Sequence, residues 1–197
     1  MSLLFTQSFK EGIFEVYNEK PKHLDLIEVE QTHSNNISDF DQTPFQYNDS
    51  DGIVTDFVSI NNHSLVIRTA DCLPVLFIGS RVALIHAGWR GLADNILTNK
   101  KLKNIDTHTI LIGPSIYKYE VQENFKENFL ESEHFYKENS VLYFNLQAFT
   151  IEKLQENSPN AKIIDSRVCT LENISYNSYR RDKTTKRNWN IFRKHKD

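Results

Sequence analysis

The stretch SLVIRTADCLPVLFIGSRVALIHAGWRG, residues 64–91, constrains the fold more than any other part of the chain. It holds three apolar runs, Leu65 to Ile67, Val75 to Ile78 and Val82 to Ile85, each bounded by polar or turn-forming residues, which is the pattern of buried strands. Only Gly79, Ser80 and Arg81 separate the last two runs, a gap that predicts a hairpin. A hairpin at this place argues against strict strand-helix-strand repetition. The expected fold class is therefore α+β, a single domain over 1–197 with a mixed or antiparallel sheet or sheets and helices packed on the faces, as in a layered sandwich.

The rest of the chain fits that frame. LDLIEVEQTH reads as a strand that delivers His33 to its end, before the polar SNN. After HAGWRG, the segment LADNILTNKKL places Leu92, Ile96 and Leu97 at helical spacing, so the glycine-containing turn opens a helix. HTILIGPSI is a strand running into a Gly113-Pro114 turn. Helical character follows at Gln122 to Leu130 and at Leu146 to Gln155, then a strand near Ala161 to Ile164 and a basic tail, YRRDKTTKR. No repeat or low-complexity tract interrupts the chain, and its five prolines are scattered.

A chain of 197 residues is long enough to bury roughly 70% of its unfolded surface. Its 23 basic and 26 acidic residues leave a formal charge of -3, which disfavours nucleic acid and anionic membranes as partners. Neither a signal-peptide pattern nor a run of about 18 apolar residues is present, so a cytoplasmic location is expected. Cys72 and Cys169 are the two cysteines and are expected as free thiols.

His33, Cys72 and His86 each lie where a strand gives way to a turn, the place where rigid scaffolds hold functional side chains. Imidazole and thiolate suit zinc, and three protein ligands leave a fourth position open, the arrangement of a catalytic rather than a structural site. Spacing alone also fits plainer roles: a half-buried core histidine at 86 and a small buried hydrophobe at 72. His23, His63, His108, His134 and His195 fall in no pattern and are assigned to the surface.

In order along the chain, QTH, DGIVTD, TADC, HAGWRG, IGPSI, YEV, CT and SYRRD resemble the family first named for multicopper polyphenol oxidoreductases, or laccase-domain proteins, and now regarded as YfiH-like purine nucleoside phosphorylases. The resemblance runs from about Gln31 to Arg187 and implies that His33, Cys72 and His86 are zinc ligands. It implies phosphorolysis of adenosine, inosine or methylthioadenosine, and deamination of adenosine, with purine nucleosides and phosphate as partners. The N-terminal part is shorter than the family pattern. Ser34 stands where a glycine normally follows the histidine, Ser115 replaces a cysteine, and Lys183 and Lys186 replace glycines, so the departures fall on the substrate side.

Other polar residues are weighed beside that centre. Arg90 could hold an anion together with helix amides, or be an ordinary surface arginine. Asp71 suits a partner that orients a ligand, a proton shuttle, or the cap of a turn. Glu120 is a weaker candidate for general acid or base. Arg180, Arg181 and Asp182 read as a solvated ion-pair cluster, and the resemblance makes them candidates for the substrate pocket. Three other functions compete: a non-enzymatic module with a structural zinc, against which three rather than four protein ligands count, a metal-free cysteine hydrolase or deamidase using Cys72 and His86, and, last, a copper oxidase of phenols. The copper oxidase is disfavoured, because Met1 is the sole methionine and seven histidines cannot supply a further copper cluster.

Overall fold

The computed structural model describes residues 1–130 and 132–195. Among the described residues fourteen strands form three sheets. In chain order they are β1 (Leu3–Ser8), β2 (Gly12–Tyr17), β3 (Leu26–Ile27), β4 (Ser38–Asp39), β5 (Gly52–Thr55), β6 (Ser64–Thr69) and β7 (Leu73–Ile78). They continue with β8 (Val82–Ala87), β9 (Thr109–Ile112), β10 (Tyr119–Glu120), β11 (Phe135–Glu138), β12 (Val141–Phe144), β13 (Lys162–Asp165) and β14 (Asn188–Lys194). The α-helices are α1 (Trp89–Ala93), α2 (Lys100–Lys103), α3 (Leu146–Asn157) and α4 (Tyr179–Asp182).

The β7–β8 hairpin forms as expected, antiparallel with Val75 opposite Ile85 and Phe77 opposite Ala83. Gly79 is required at its turn: a Cβ there would lie 2.3 Å from the carbonyl oxygen of Ile105. The pair sits in the middle of a six-stranded sheet of order β13-β9-β7-β8-β5-β4. Every residue of β7 and β8 is buried, which explains why their sequences run apolar without alternation.

One face of this sheet packs on a five-stranded sheet, β1-β2-β14-β6-β3. Phe14, Leu65, Ile67 and Phe192 from the smaller sheet interlock there with Leu76, Ile78, Val82 and Leu84. The opposite face, with Val75, Phe77, Ala83 and Ile85, is covered by Leu92, Ile96, Leu146 and Leu154 and by Tyr119, Leu142 and Phe144. Phe144 belongs to a three-stranded sheet of order β10-β12-β11. The fold is thus α+β with mixed sheets, and helices together with the three-stranded sheet cover one face of the large sheet while the five-stranded sheet covers the other.

Three local expectations are corrected. The strand leading to His33 is only two residues long, Leu26–Ile27. Beyond it the Gln31 carboxamide, rather than the main chain, pairs with the Arg68 backbone, donating to its carbonyl at 2.8 Å and accepting from its amide at 2.8 Å. The main chain is thereby free to turn, and His33 adopts a left-handed φ of 64°. The helix after HAGWRG is broken into α1, a 3₁₀ turn at Ile96–Thr98 and α2. Asn95 takes a left-handed φ of 61° and the Asn99 side chain caps α2 by accepting from the Lys101 amide, both habits of asparagine at helix ends. The helical stretch expected at Gln122 to Leu130 is a 3₁₀ helix, Glu123–Asn128.

Candidate metal centre and its cavity

Cys72 lies in the bend between β6 and β7, and His86 is the second-last residue of β8, opposite Pro74. Pairing of the two strands therefore brings both to one end of the sheet. His33 reaches them from the loop after β3. One ligand atom from each of the three lies within 4.8 Å of the others. Cys72 Sγ is 4.0 Å from His33 Nε2, and the two imidazoles meet edge to face with centroids 4.7 Å apart.

These separations suit a shared cation, since tetrahedral ligand atoms at zinc distances stand about 3.5 Å apart. Gly88 supplies a second sign of fit: a Cβ there would lie 2.9 Å from His33 Cδ2, 3.4 Å from Cys72 Sγ and 3.5 Å from His86 Cε1. The missing side chain leaves the three ligands room to converge. The donor set of two imidazoles and one thiol matches zinc or a related borderline metal.

The charges of the cluster reinforce one another. Burial alone would push the Cys72 thiol up, but the His86 charge and hydrogen bonds from both imidazoles outweigh it and bring the thiol down to about 6. His86 moves the opposite way: burial disfavours its cation, yet the Cys72 thiolate and the hydrogen bond to Asp51 raise it to about 9. A thiolate at neutral pH is the form that ligates metal.

His86 Nδ1 lies 2.6 Å from Asp51 Oδ1, a wholly buried carboxylate just before β5. Sequence spacing alone does not point to Asp51. The signal was present in DGIVTD, where an acid directly precedes four buried strand residues.

The cluster opens into a cavity of about 800 Å³. Trp89, Ile116, Tyr119 and Leu146 give its lining an apolar part, and Arg68, Arg90, Arg180, Lys183 and Arg187 a cationic part. Arg90 is exposed and its guanidinium carbon lies 4.8 Å over the Trp89 ring. Helix α1 has five residues, too short for an anion site built on its amides.

Asp71 also lines the cavity, but both its oxygens are engaged: Oδ1 accepts from Thr170 Oγ1 at 2.8 Å and Oδ2 from the Arg180 amide at 2.7 Å. Its backbone has a left-handed φ of 93°, so these bonds hold a strained turn in place. Arg180 stacks over the Tyr119 ring at 4.5 Å.

Its neighbours do not join it. Arg181 donates to the carbonyls of Thr170, Leu171 and Tyr176 at 2.9, 3.0 and 2.7 Å and pairs with Asp182. Neither Arg181 nor Asp182 lines the cavity. Glu120 is exposed and borders a shallower neighbouring depression.

Residues 13–193 match the family model described as multi-copper polyphenol oxidoreductase laccase. The chain is 35% identical over 158 residues to a protein of Aquifex aeolicus named purine nucleoside phosphorylase, a match covering 77% of this chain and 72% of the relative. It is 30% identical over 173 residues to Escherichia coli purine nucleoside phosphorylase YfiH, covering 81% and 70%. The crystal structure of Neisseria meningitidis protein NMB0706 superposes with a TM-score of 0.73 at 26% identity, covering 87% of this chain and 76% of the other.

Proposed function

This chain belongs to the multi-copper polyphenol oxidoreductase laccase family, and from that membership and the shape of its cavity we propose that it is a zinc-dependent purine nucleoside enzyme. Its reaction is phosphorolysis of adenosine, inosine or methylthioadenosine, with deamination of adenosine as a second activity. The names of the Aquifex aeolicus and Escherichia coli relatives support the substrate class. The observation that carries the reading is that His33, Cys72 and His86 converge in a cavity whose lining is apolar in one part and cationic in another. An apolar wall suits a purine, and guanidinium groups suit phosphate.

In this reading zinc is held by the two imidazoles and the Cys72 thiolate, and supplies Lewis acidity beside the substrate. Trp89, Ile116 and Leu146 bury the base. Arg90 and Arg180 orient hydrogen phosphate so that one of its oxygens bonds to ribose C1′ as the bond from C1′ to N9 breaks, and the base leaves with the proton that the phosphate gives up. The carboxylate of Asp71 anchors the Arg180 backbone rather than shuttling protons, since both its oxygens are occupied. A proton carrier for deamination is harder to find, with Glu120 outside the main cavity, so phosphorolysis is the primary activity of this reading.

One observation favours a second reading. The lowered Cys72 thiol and raised His86 imidazole form the kind of pair that a metal-free cysteine hydrolase uses. A copper phenol oxidase has less support: among the described residues, His33, Cys72 and His86 are the one group able to hold a metal, and His63 and His134 are instead near Asp25 and Glu152. Elemental analysis of metal-replete protein, followed by incubation with inosine and phosphate and chromatography, tests the proposal. Close to one zinc per chain and phosphate-dependent release of hypoxanthine are expected. Protein that carries no metal and leaves inosine intact would overturn it.

A further inference from the structure

We propose that Asp51 is the positioning residue of the metal centre, one buried carboxylate that sets both histidines: His86 through its ring and His33 through the amides on either side of it. The inference rests on the metal reading above.

Asp51 is 0% exposed. Its Oδ1 faces His86 Nδ1 at 2.6 Å, while Oδ2 accepts from the Thr32 amide at 3.1 Å, the Ser34 amide at 2.6 Å and the Ser34 hydroxyl at 3.0 Å. Both oxygens of the carboxylate accept hydrogen bonds, so burial leaves neither unpaired. The main chain repeats the link, because the Asp51 carbonyl accepts from the His86 amide at 2.7 Å.

Each contact has a consequence for a ligand. A carboxylate can only accept, so the proton of neutral His86 resides on Nδ1 and the Nε2 lone pair is free to face Cys72 and His33. Thr32 and Ser34 flank His33, whose φ is 64°. Two amides drawn to one oxygen hold the loop in that left-handed turn and so place the His33 ring. The negative charge has a further effect: two neutral imidazoles and one thiolate leave a divalent ion with a net positive charge, which Asp51 balances inside a buried region.

The test reads metal rather than nucleoside turnover. Zinc affinity is measured by competition with a chromogenic chelator in wild type, Asp51→Asn and Asp49→Asn. Asp49 is a neighbouring acid that bonds Thr32 Oγ1 and Asn36 without touching His86. Asp51→Asn is expected to weaken zinc about 10-fold to 100-fold, the range for loss of a carboxylate behind a ligating histidine, and to alter the visible spectrum of the cobalt-substituted protein. Asp49→Asn is expected to stay within about twofold of wild type on the same scale. Asp51→Asn affinity equal to wild type would overturn the proposal. Should Asp51→Asn fail to fold, the long-range proton–nitrogen NMR spectrum of zinc-loaded wild type decides: His86 protonated at Nδ1 supports it and at Nε2 refutes it. Wild type that binds no zinc overturns the metal reading itself, an outcome distinct from a variant that binds as well as wild type.

Discussion

The main-chain amide of Arg180 donates to Asp71 Oδ2 at 2.7 Å across 109 positions of sequence. This bond ties the short helix α4 to the bend that carries Cys72, and so joins the cationic rim of the cavity to the metal ligands. In Asp71→Asn an amide nitrogen replaces one accepting oxygen and an uncharged carbonyl oxygen the other. Stability should fall by about 1–3 kcal/mol, as for a buried donor deprived of a charged acceptor, measured by urea unfolding. In a double-mutant cycle with Arg180→Ala, the effects on phosphorolysis should be markedly less than additive. Full additivity would show that Asp71 does not act through Arg180.

Arg90 is exposed and stacked on Trp89, free to meet an anion at the cavity. Arg90→Ala should retain zinc and impair phosphorolysis more than deamination, with a loss of roughly 2–3 kcal/mol in transition-state stabilisation for a charge-assisted contact. Side-by-side assays of inosine with phosphate and of adenosine alone measure the difference. Equal loss in both would assign Arg90 to the scaffold, and no loss in either would move phosphate to Arg180.

A side chain at Gly88 would meet all three ligands. In Gly88→Ala the added methyl would stand 2.9 Å from His33 Cδ2 and must displace that ring, the ligand held by a loop rather than a strand. Overpacking of this kind costs about 1–3 kcal/mol, equivalent to roughly 5-fold to 150-fold in metal affinity if the strain falls on the loaded state. Chelator competition provides the measurement, with the far-UV spectrum as a check of folding. Unchanged affinity would mean that the His33 loop yields without cost.

The pH dependence of Cys72 reactivity follows from its neighbours. With the thiol lowered from its ordinary value to about 6, metal-stripped protein should alkylate with iodoacetamide at a rate that is flat above neutrality and falls as pH drops through about 6. The sign follows from the thiolate being the reactive form. His86→Ala removes the largest of the lowering influences and should move the midpoint upward, and zinc should protect the thiol in wild type. A midpoint at the ordinary thiol value would mean that the imidazoles do not face the sulfur.

What the sequence by itself determined is local and periodic. Three apolar runs with a three-residue break specified the β7–β8 hairpin, because continuous burial on two faces leaves no polar position in a strand. The ends of such strands also marked Cys72 and His86 as turn-proximal ligating types. Tertiary structure decided the rest. Strand β14 inserts between β2 and β6, a pairing of chain ends that no nearby pattern encodes. Asn95 and Asn99 broke the helix that hydrophobic spacing alone extended, Asn95 through its left-handed φ of 61° and Asn99 through a side chain that caps the next turn instead. SYRRD divided in the same way: Arg180 turned to the cavity and Arg181 to backbone carbonyls of its own loop, a choice between adjacent guanidinium groups made by which carbonyls lie near. Asp51 became part of the centre only because the pairing of β5 with β8 sets it beside His86, 35 residues away in sequence. Sequence fixes which side chains can ligate, stack or pair; the distances at which they do so arise from sheet register and long-range packing, which act between residues far apart in the chain.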